Sequence, residues 1–230
     1  MIYLDYKKTF DTVSHAKLLQ KLRSLKLGEK VTMWIEDYLT DRRMRVNVRG
    51  IFSSWAEVLS GVLQGSVLGP LLFLIFVNDL PDWVKCSIKM FANDTKIWVK
   101  ISQMEDSESL QSDLNQLIQW SQQWLLQFHP DKCKVMHIGH TLDTSCSVTD
   151  QGRSHILQTV REEKDLGVYI SDDLKPGLQC SKAASKAMSV LRFIKRTFSR
   201  IDVDDFKTLY HMYVRPHMEY CVQVWNPYLQ

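Results

Sequence analysis

Two acidic residues stand where chemistry could be done. Asp5 ends a short apolar run, Met1 to Leu4, and Asp94 lies in Ala92-Asn93-Asp94, between the β-prone runs Ile88 to Phe91 and Thr95 to Val99. A strand end and a hairpin turn are places from which short carboxylates can converge on a shared cation. Phosphoryl and nucleotidyl transfer needs such convergence: two divalent ions clamp the attacking and leaving oxygens, and hard oxygen ligands hold the ions. Aspartate is also a common turn former, so the spacing alone leaves a plain reading open, two turn residues in a globular protein.

The elements that must position these residues follow from periodicity and punctuation. Met1 to Leu4 reads as a strand, and Ser14 caps a helix to about Lys26 with Leu18, Leu19, Leu22 and Leu25 on one face. Gly28 stops it before a second helix, Glu29 to Leu39. Arg45 to Val48 and Trp55 to Leu59 read as strands around a Gly50 turn, and Pro70 opens a helix that Pro81 closes. After the Ala92-Asn93-Asp94 hairpin comes a long helix, Glu105 to Gln127, with Leu110, Leu114, Leu117, Trp120 and Trp124 at helical spacing. Val135 to Ile138 and Leu166 to Ile170 read as short strands, Asp143 to Ser154 as a surface loop or hairpin, and Gln179 to Phe198 and Val203 to Tyr213 as closing helices. The polar break at Ser171 to Gly177 sets the expected domains at 1–172 and 173–230, in an α+β chain.

Composition excludes several classes. With 230 residues, 45% hydrophobic and 24% charged, the chain is in the globular range, and its net charge of +3 permits a polyanionic partner without demanding one. Five widely spaced cysteines, with no C-x-x-C pair, read as reduced thiols. The most apolar run, Val67 to Val77, is about half of the roughly 20 residues a membrane span needs. No signal-peptide pattern precedes Asp5, so an intracellular location, nucleus or cytoplasm, is expected.

The context of the two aspartates adds more. Leu4-Asp5-Tyr6-Lys7-Lys8-Thr9-Phe10-Asp11 resembles the first palm motif of non-LTR (LINE-type) reverse transcriptases. Ser60 to Phe73 resembles the family's long Gln-Gly motif, with Leu63 where proline is usual, and Phe91-Ala92-Asn93-Asp94 matches its Phe-Ala-Asp-Asp box except at the third position. Trp124 to Lys134 and Glu163 to Val168 resemble two later palm motifs, and Arg215 to Cys221 resembles a thumb segment.

The resemblance implies a palm, an antiparallel sheet backed by helices, followed by a small helical thumb, with the fingers subdomain missing ahead of Met1. It also implies an ancestral Mg²⁺- or Mn²⁺-dependent attack of a DNA primer 3′-hydroxyl on a deoxynucleoside triphosphate, guided by an RNA template. Asp5 and Asp94 are then the metal ligands, with the Tyr6 backbone carbonyl beside them. Phe10 lies beneath the incoming sugar, where its ring excludes a 2′-hydroxyl; Gln64 and Gly65 line the template and nucleotide pocket; and Lys132 is a weaker candidate for proton donor to pyrophosphate. Lys182, Lys186, Arg192, Lys195 and Arg196 of the thumb helix meet the primer–template phosphates.

The departures point to lost polymerisation. Asn93 stands where the resemblance places a metal-bridging aspartate, and His129 where asparagine is usual. At an effective dielectric near 20, a unit charge ~4 Å from a divalent ion contributes roughly 8 kcal/mol before desolvation. About 1.4 kcal/mol is tenfold in rate, so even a fraction of that decides activity. The runner-up reading is a non-catalytic relic that binds nucleic acid or protein. Two side readings complete the expectations. Cys133, His137, His140 and Cys146 are too poorly spaced for a zinc site, and Trp34, Trp55, Trp120 and Trp124 read as core rather than base-stacking platforms.

Overall fold

The computed structural model describes residues 1–139, 144–150 and 152–226. They form two compact units, Met1–Val135 with Thr141–Thr159, and Met136–His140 with Val160–Gln230. The first unit runs β1 (Ile2–Leu4), α1 (His15–Ser24), α2 (Glu29–Leu39), β2 (Arg43–Met44), β3 (Asn47–Val48), β4 (Ile51–Phe52), β5 (Ala56–Glu57) and α3 (Leu68–Val77). It continues through β6 (Ser87–Phe91), β7 (Asp94–Trp98), α4 (Met104–Trp124), β8 (Lys134–Val135), β9 (Ser147–Asp150), β10 (Arg153–Ile156) and β11 (Gln158–Thr159). The architecture is α+β, as the sequence indicates.

The main sheet has the order β11-β8-β1-β7-β6, so the strand that delivers Asp5 is central. Only β11 runs parallel to its neighbour; the other pairs are antiparallel. Strand alternation sends Ile2 and Leu4 of β1, with Thr95 and Ile97 of β7, to the buried face. Leu18 and Leu22 of α1, Phe73 and Phe76 of α3, and Leu114, Leu117 and Trp120 of α4 complete that core. Ser14 caps α1 as expected, its hydroxyl accepting from Lys17 N. Buried Asp113 of α4 accepts from the backbone N–H groups of Lys85 and Cys86 at 3.1 and 2.7 Å, which fixes the entry to β6.

The leucine stripe of α1 is corrected at both edges. Leu25 is 49% exposed, whereas Lys21 is 6% exposed. The Lys21 ammonium donates to the Phe76 carbonyl at the end of α3 and to Asp79, and lies 4.8 and 3.9 Å from the ring centres of Trp120 and Trp124. Trp120 Nε1 donates to the same Asp79 oxygen at 3.1 Å. Burial lowers the Lys21 pKa, and Asp79 opposes that shift. One charged group thus joins α1, α3 and α4 where periodicity alone reads only leucines.

The Gly50 turn closes a narrow ribbon, β3 pairing with β4 and β2 with β5, whose residues are exposed. Trp34 and Trp55 are exposed too, against the expectation of core; Trp120 and Trp124 are buried as expected. The Arg45 guanidinium lies 3.9 Å from the Phe52 ring and 4.6 Å from that of Trp55, which accounts for an aromatic held outside the core. The segment read as a loop or hairpin carries the paired strands β9 and β10; its residues Asp143 and Gln151 fall outside the described residues.

The second unit contains β12 (Glu162–Asp165), β13 (Val168–Ser171), α5 (Gly177–Thr197), α6 (Val203–Leu209), a π-helical turn at Tyr210–Val214, α7 (Arg215–Glu219) and α8 (Val222–Trp225). Where the sequence suggests one strand, Leu166 to Ile170, there is a hairpin with Leu166-Gly167 at its turn. Tyr169 N donates to Gln179 Oε1 at 2.9 Å and Tyr220 Oη donates to the Leu166 carbonyl at 2.9 Å. These bonds join the hairpin to the helices within the second compact unit. Ala187, Ile194 and Val214 form the small core of this unit. Among the described residues, no helix is long and apolar enough to cross a membrane.

Candidate active site and nucleic-acid interface

Asp5 is positioned by its two neighbouring strands. Leu4 pairs with Thr95 and Tyr3 with Lys134, so continuing along β1 brings Asp5 level with Asp94 on one side and Lys132 on the other. Since Leu4 and Thr95 face the core, Asp5 and Asp94 share the opposite face, on strands about 4.8 Å apart. Lys132, in a 3₁₀ turn, places its ammonium 3.1 Å from Asp5 Oδ2. The Asp5 carbonyl accepts from His129 N at 2.8 Å and Lys7 N donates to Gln127 O at 2.8 Å, which prolongs the pairing past the strand. The Tyr6 ring turns inward and stacks on Phe128 with centres 4.6 Å apart, so its side chain belongs to the core.

The β6–β7 connection is a two-residue turn of Ala92 and Asn93, with Ala92 at φ 52°. Hairpin turns of this length favour positive φ, a conformation that costs a residue with a Cβ about 1 kcal/mol. Asn93 Nδ2 donates to Asp94 Oδ1 at 3.2 Å. The amide therefore subtracts a negative charge and also directs a donor at the neighbouring carboxylate.

A second strip of backbone holds the Phe10 region. Val62 N donates to Phe10 O at 2.7 Å, Gly61 N to Val13 O at 2.8 Å, and Ser60 Oγ to Asp11 O at 2.8 Å. His15 Nε2 lies 2.8 Å from Gly61 O. A Cβ on Gly61 would lie 2.8 Å from Phe10 O and 2.9 Å from Asp11 Cα, so only glycine permits this approach. Phe10 is half-buried, its ring centre 5.1 Å from that of Phe73. Gln64 and Gly65 follow in an exposed turn just ahead of α3. The structure thus brings Asp5, Asp94 and Lys132 together and ties Phe10 to the loop that carries Gln64. Sequence reasoning missed Gly61 and His15; the Ser-Gly pair ahead of Gln64 was the one available signal.

A model of the reverse transcriptase (RNA-dependent DNA polymerase) family matches residues 1–191. The chain belongs to this family. It is 29% identical over 239 residues to a probable RNA-directed DNA polymerase from transposon BS of Drosophila melanogaster, covering 98% of this chain and 26% of that protein. It is 26% identical over 236 residues to the RNA-directed DNA polymerase from mobile element jockey of Drosophila funebris, covering 97% and 25%. A shorter stretch, 80 residues at 32% identity, matches a Pol polyprotein from the type-1 retrotransposable element R2 of Popillia japonica. The chain spans about a quarter of the length of the first two relatives. These matches identify a reverse transcriptase-like domain of the LINE type.

Reverse transcriptases generally use divalent ions, and Asp5 and Asp94 are the carboxylates that this chain brings to one face, where they could hold such an ion. The Lys132 ammonium already pairs with Asp5 and competes with a cation there. Among the described residues, no group of three His, Cys, Asp or Glu side chains is arranged to hold a metal. Cys133 and Cys146 are buried, and burial pushes both thiols up, Cys133 to about 11. His140 lies outside the described residues.

In the helical unit of this reverse transcriptase-like chain, the five basic residues of α5 do not all line one cleft. Lys182 and Lys186 line a cleft of 620 Å³ with Lys164 and Tyr169 of the hairpin and His217 of α7. The ammonium groups of Lys164 and Lys182 both approach the Tyr169 ring, at 5.6 and 5.2 Å from its centre. Arg192 and Lys195 line a different, apolar groove. Lys164, Tyr169 and His217 were missed because they come from elements distant in sequence.

Proposed function

We propose that this chain is a palm, 1–172, followed by a thumb, 173–230, of a LINE-type reverse transcriptase in which nucleotidyl transfer is lost and affinity for nucleic acid is kept. The observation that carries the first half is Asn93, whose amide stands beside Asp94 and donates to it. The second half is supported by the cleft of Lys164, Lys182 and Lys186 around Tyr169, which combines positive charge with an aromatic face, the pairing that suits a phosphate backbone and its bases. An RNA template with a DNA primer is the substrate class that fits. Any Mg²⁺ or Mn²⁺ is held by Asp5 and Asp94 alone, and Phe10, Gln64 and Gly65 form the remnant of the nucleotide pocket. An intracellular setting, nucleus or cytoplasm, accords with five free thiols.

Primer extension on a primed RNA template, with Mg²⁺ or Mn²⁺, tests the loss of activity. The chain is expected to extend no more primer than its Asp5→Ala variant, and extension clearly above that variant refutes the proposal. Affinity for an RNA–DNA hybrid, titrated with salt, tests the binding. Each of Lys164→Ala, Lys182→Ala and Lys186→Ala is expected to reduce the slope of log K against log salt by about 1. Binding without salt dependence, or none at all, removes that half of the reading.

A further inference from the structure

The residues that line the 620 Å³ cleft of the helical unit include Lys164, Lys182, Lys186 and His217, and no carboxylate. Lys164 and Tyr169 lie directly opposite each other in the hairpin and share a face, while strand alternation turns Glu163 and Asp165 to the other one. Lys182 and Lys186 are one turn apart on α5, and none of the three lysines makes an ion pair among the described residues. On α7, Arg215 Nε donates to Glu219 Oε1 at 2.6 Å, and the Arg215 guanidinium lies 3.3 Å from His211 Nδ1. His217 is two residues from each member of the Arg215–Glu219 pair and does not face them along the helix. Tyr220, the other ionisable group of α7's end that lines the cleft, donates its hydroxyl to the Leu166 carbonyl.

An imidazole thus stands among ammonium groups with no negative charge lining the same cleft. Imidazole is the side chain whose ordinary titration falls between about pH 5 and 8. A phosphate seated among the ammoniums supplies the opposite charge that favours imidazolium over imidazole. Proton and phosphate therefore assist each other's binding, and thermodynamic linkage makes that assistance reciprocal. We propose that His217 makes nucleic-acid binding at this cleft proton-linked, its imidazolium joining Lys164, Lys182 and Lys186 on the phosphate backbone as pH falls. The inference rests on the phosphate-binding reading of the cleft and adds its regulation. Binding takes up a proton, so affinity is greatest below the imidazole range and declines as pH rises through it. Lysine ammoniums ordinarily titrate well above that range and supply the part of the affinity that pH leaves unchanged.

Fluorescence anisotropy of a labelled RNA–DNA hybrid with the full 230-residue chain, at about pH 6 and about pH 8 and over a series of salt concentrations, measures the linkage. The wild type is expected to bind at least about threefold more tightly at the lower pH, with a slope of log K against log salt steeper by up to about 1. His217→Asn is expected to bind alike at the two pH values, with the affinity that the wild type has at the higher one. His211→Asn changes an imidazole outside the cleft lining and is expected to keep the wild-type response. Lys182→Ala is expected to weaken binding at both pH values and to keep the ratio between them. Far-UV circular dichroism at each pH confirms that the variants are folded. Equal wild-type affinity at the two pH values, or a pH response that His217→Asn retains, overturns the proton linkage and leaves the cleft as a phosphate site. Binding that Lys182→Ala and Lys186→Ala leave untouched overturns the cleft reading itself, and the inference with it.

Discussion

Asn93 differs from aspartate by one atom and one charge. Its position in a two-residue turn, with its amide 3.2 Å from Asp94 Oδ1, shows what that charge governs. Restoring the carboxylate places like charges side by side, so the turn then gains from a cation that screens them. Asn93→Asp is therefore expected to raise Mn²⁺ affinity at least about tenfold, about 1.4 kcal/mol, in a titration followed by electron paramagnetic resonance. Unchanged affinity would show that the geometry, and not the missing charge, limits ion binding. At this scale the sequence is informative where a residue acts through its own type: Asp5, Asn93 and Asp94 are legible from their chemistry and their neighbours in the chain. It is silent on Lys21, because a lysine beside leucines on an amphipathic helix reads as solvated. Only its placement against Phe76, Asp79 and two indoles explains its burial.

Among elements, the loop ahead of α3 matters as much as the strands. Gly61 and Gly65 both have positive φ, 93° and 90°, but only Gly61 abuts other backbone. Gly65→Ala is expected to cost about 1 kcal/mol for conformation alone, and Gly61→Ala about 3 kcal/mol, because the Phe10–Asp11 backbone must also shift. Urea unfolding of the two variants measures the difference, and equal midpoints would remove the close approach from the account. The sequence resolves elements whose side chains alternate or repeat, such as β1, α2 and the β6–β7 hairpin. It fails at β12, because Glu162-Glu163-Lys164-Asp165 has no apolar residue to mark a strand. That strand is defined by its pairing with β13, and β13 is in turn tied to α5 through Tyr169 and Gln179. It fails again at Trp55, where stacking on Arg45 takes the place of burial.

For the whole molecule, two thiols held above their ordinary range, buried Cys133 and half-buried Cys86, set an alkaline limit. Burial, with Asp113 adding to it, pushes Cys86 up to about 12, and burial pushes Cys133 up to about 11, from an ordinary value of 9.0. Below pH 9 both folded and unfolded chains keep these protons and the contribution to stability is complete. Above it the unfolded chain ionises first, so stability falls as pH rises towards the folded values. Urea midpoints are expected to hold level from neutral pH to about 9 and then decline, and iodoacetamide at pH 8 to leave both thiols largely unmodified until the chain unfolds. Rapid alkylation of Cys133 in the folded chain would contradict its burial. The indoles that enclose Lys21 have a further, optical consequence. Trp34, Trp55, Trp83, Trp98, Trp120 and Trp124 all belong to the first compact unit, and Trp225 is the lone indole of the second. Tryptophan emission therefore reports the melting of one unit almost exclusively, while far-UV dichroism, rich in α5, also records the other. Comparing the two signals through one titration reveals whether the chain unfolds in a single transition or in two.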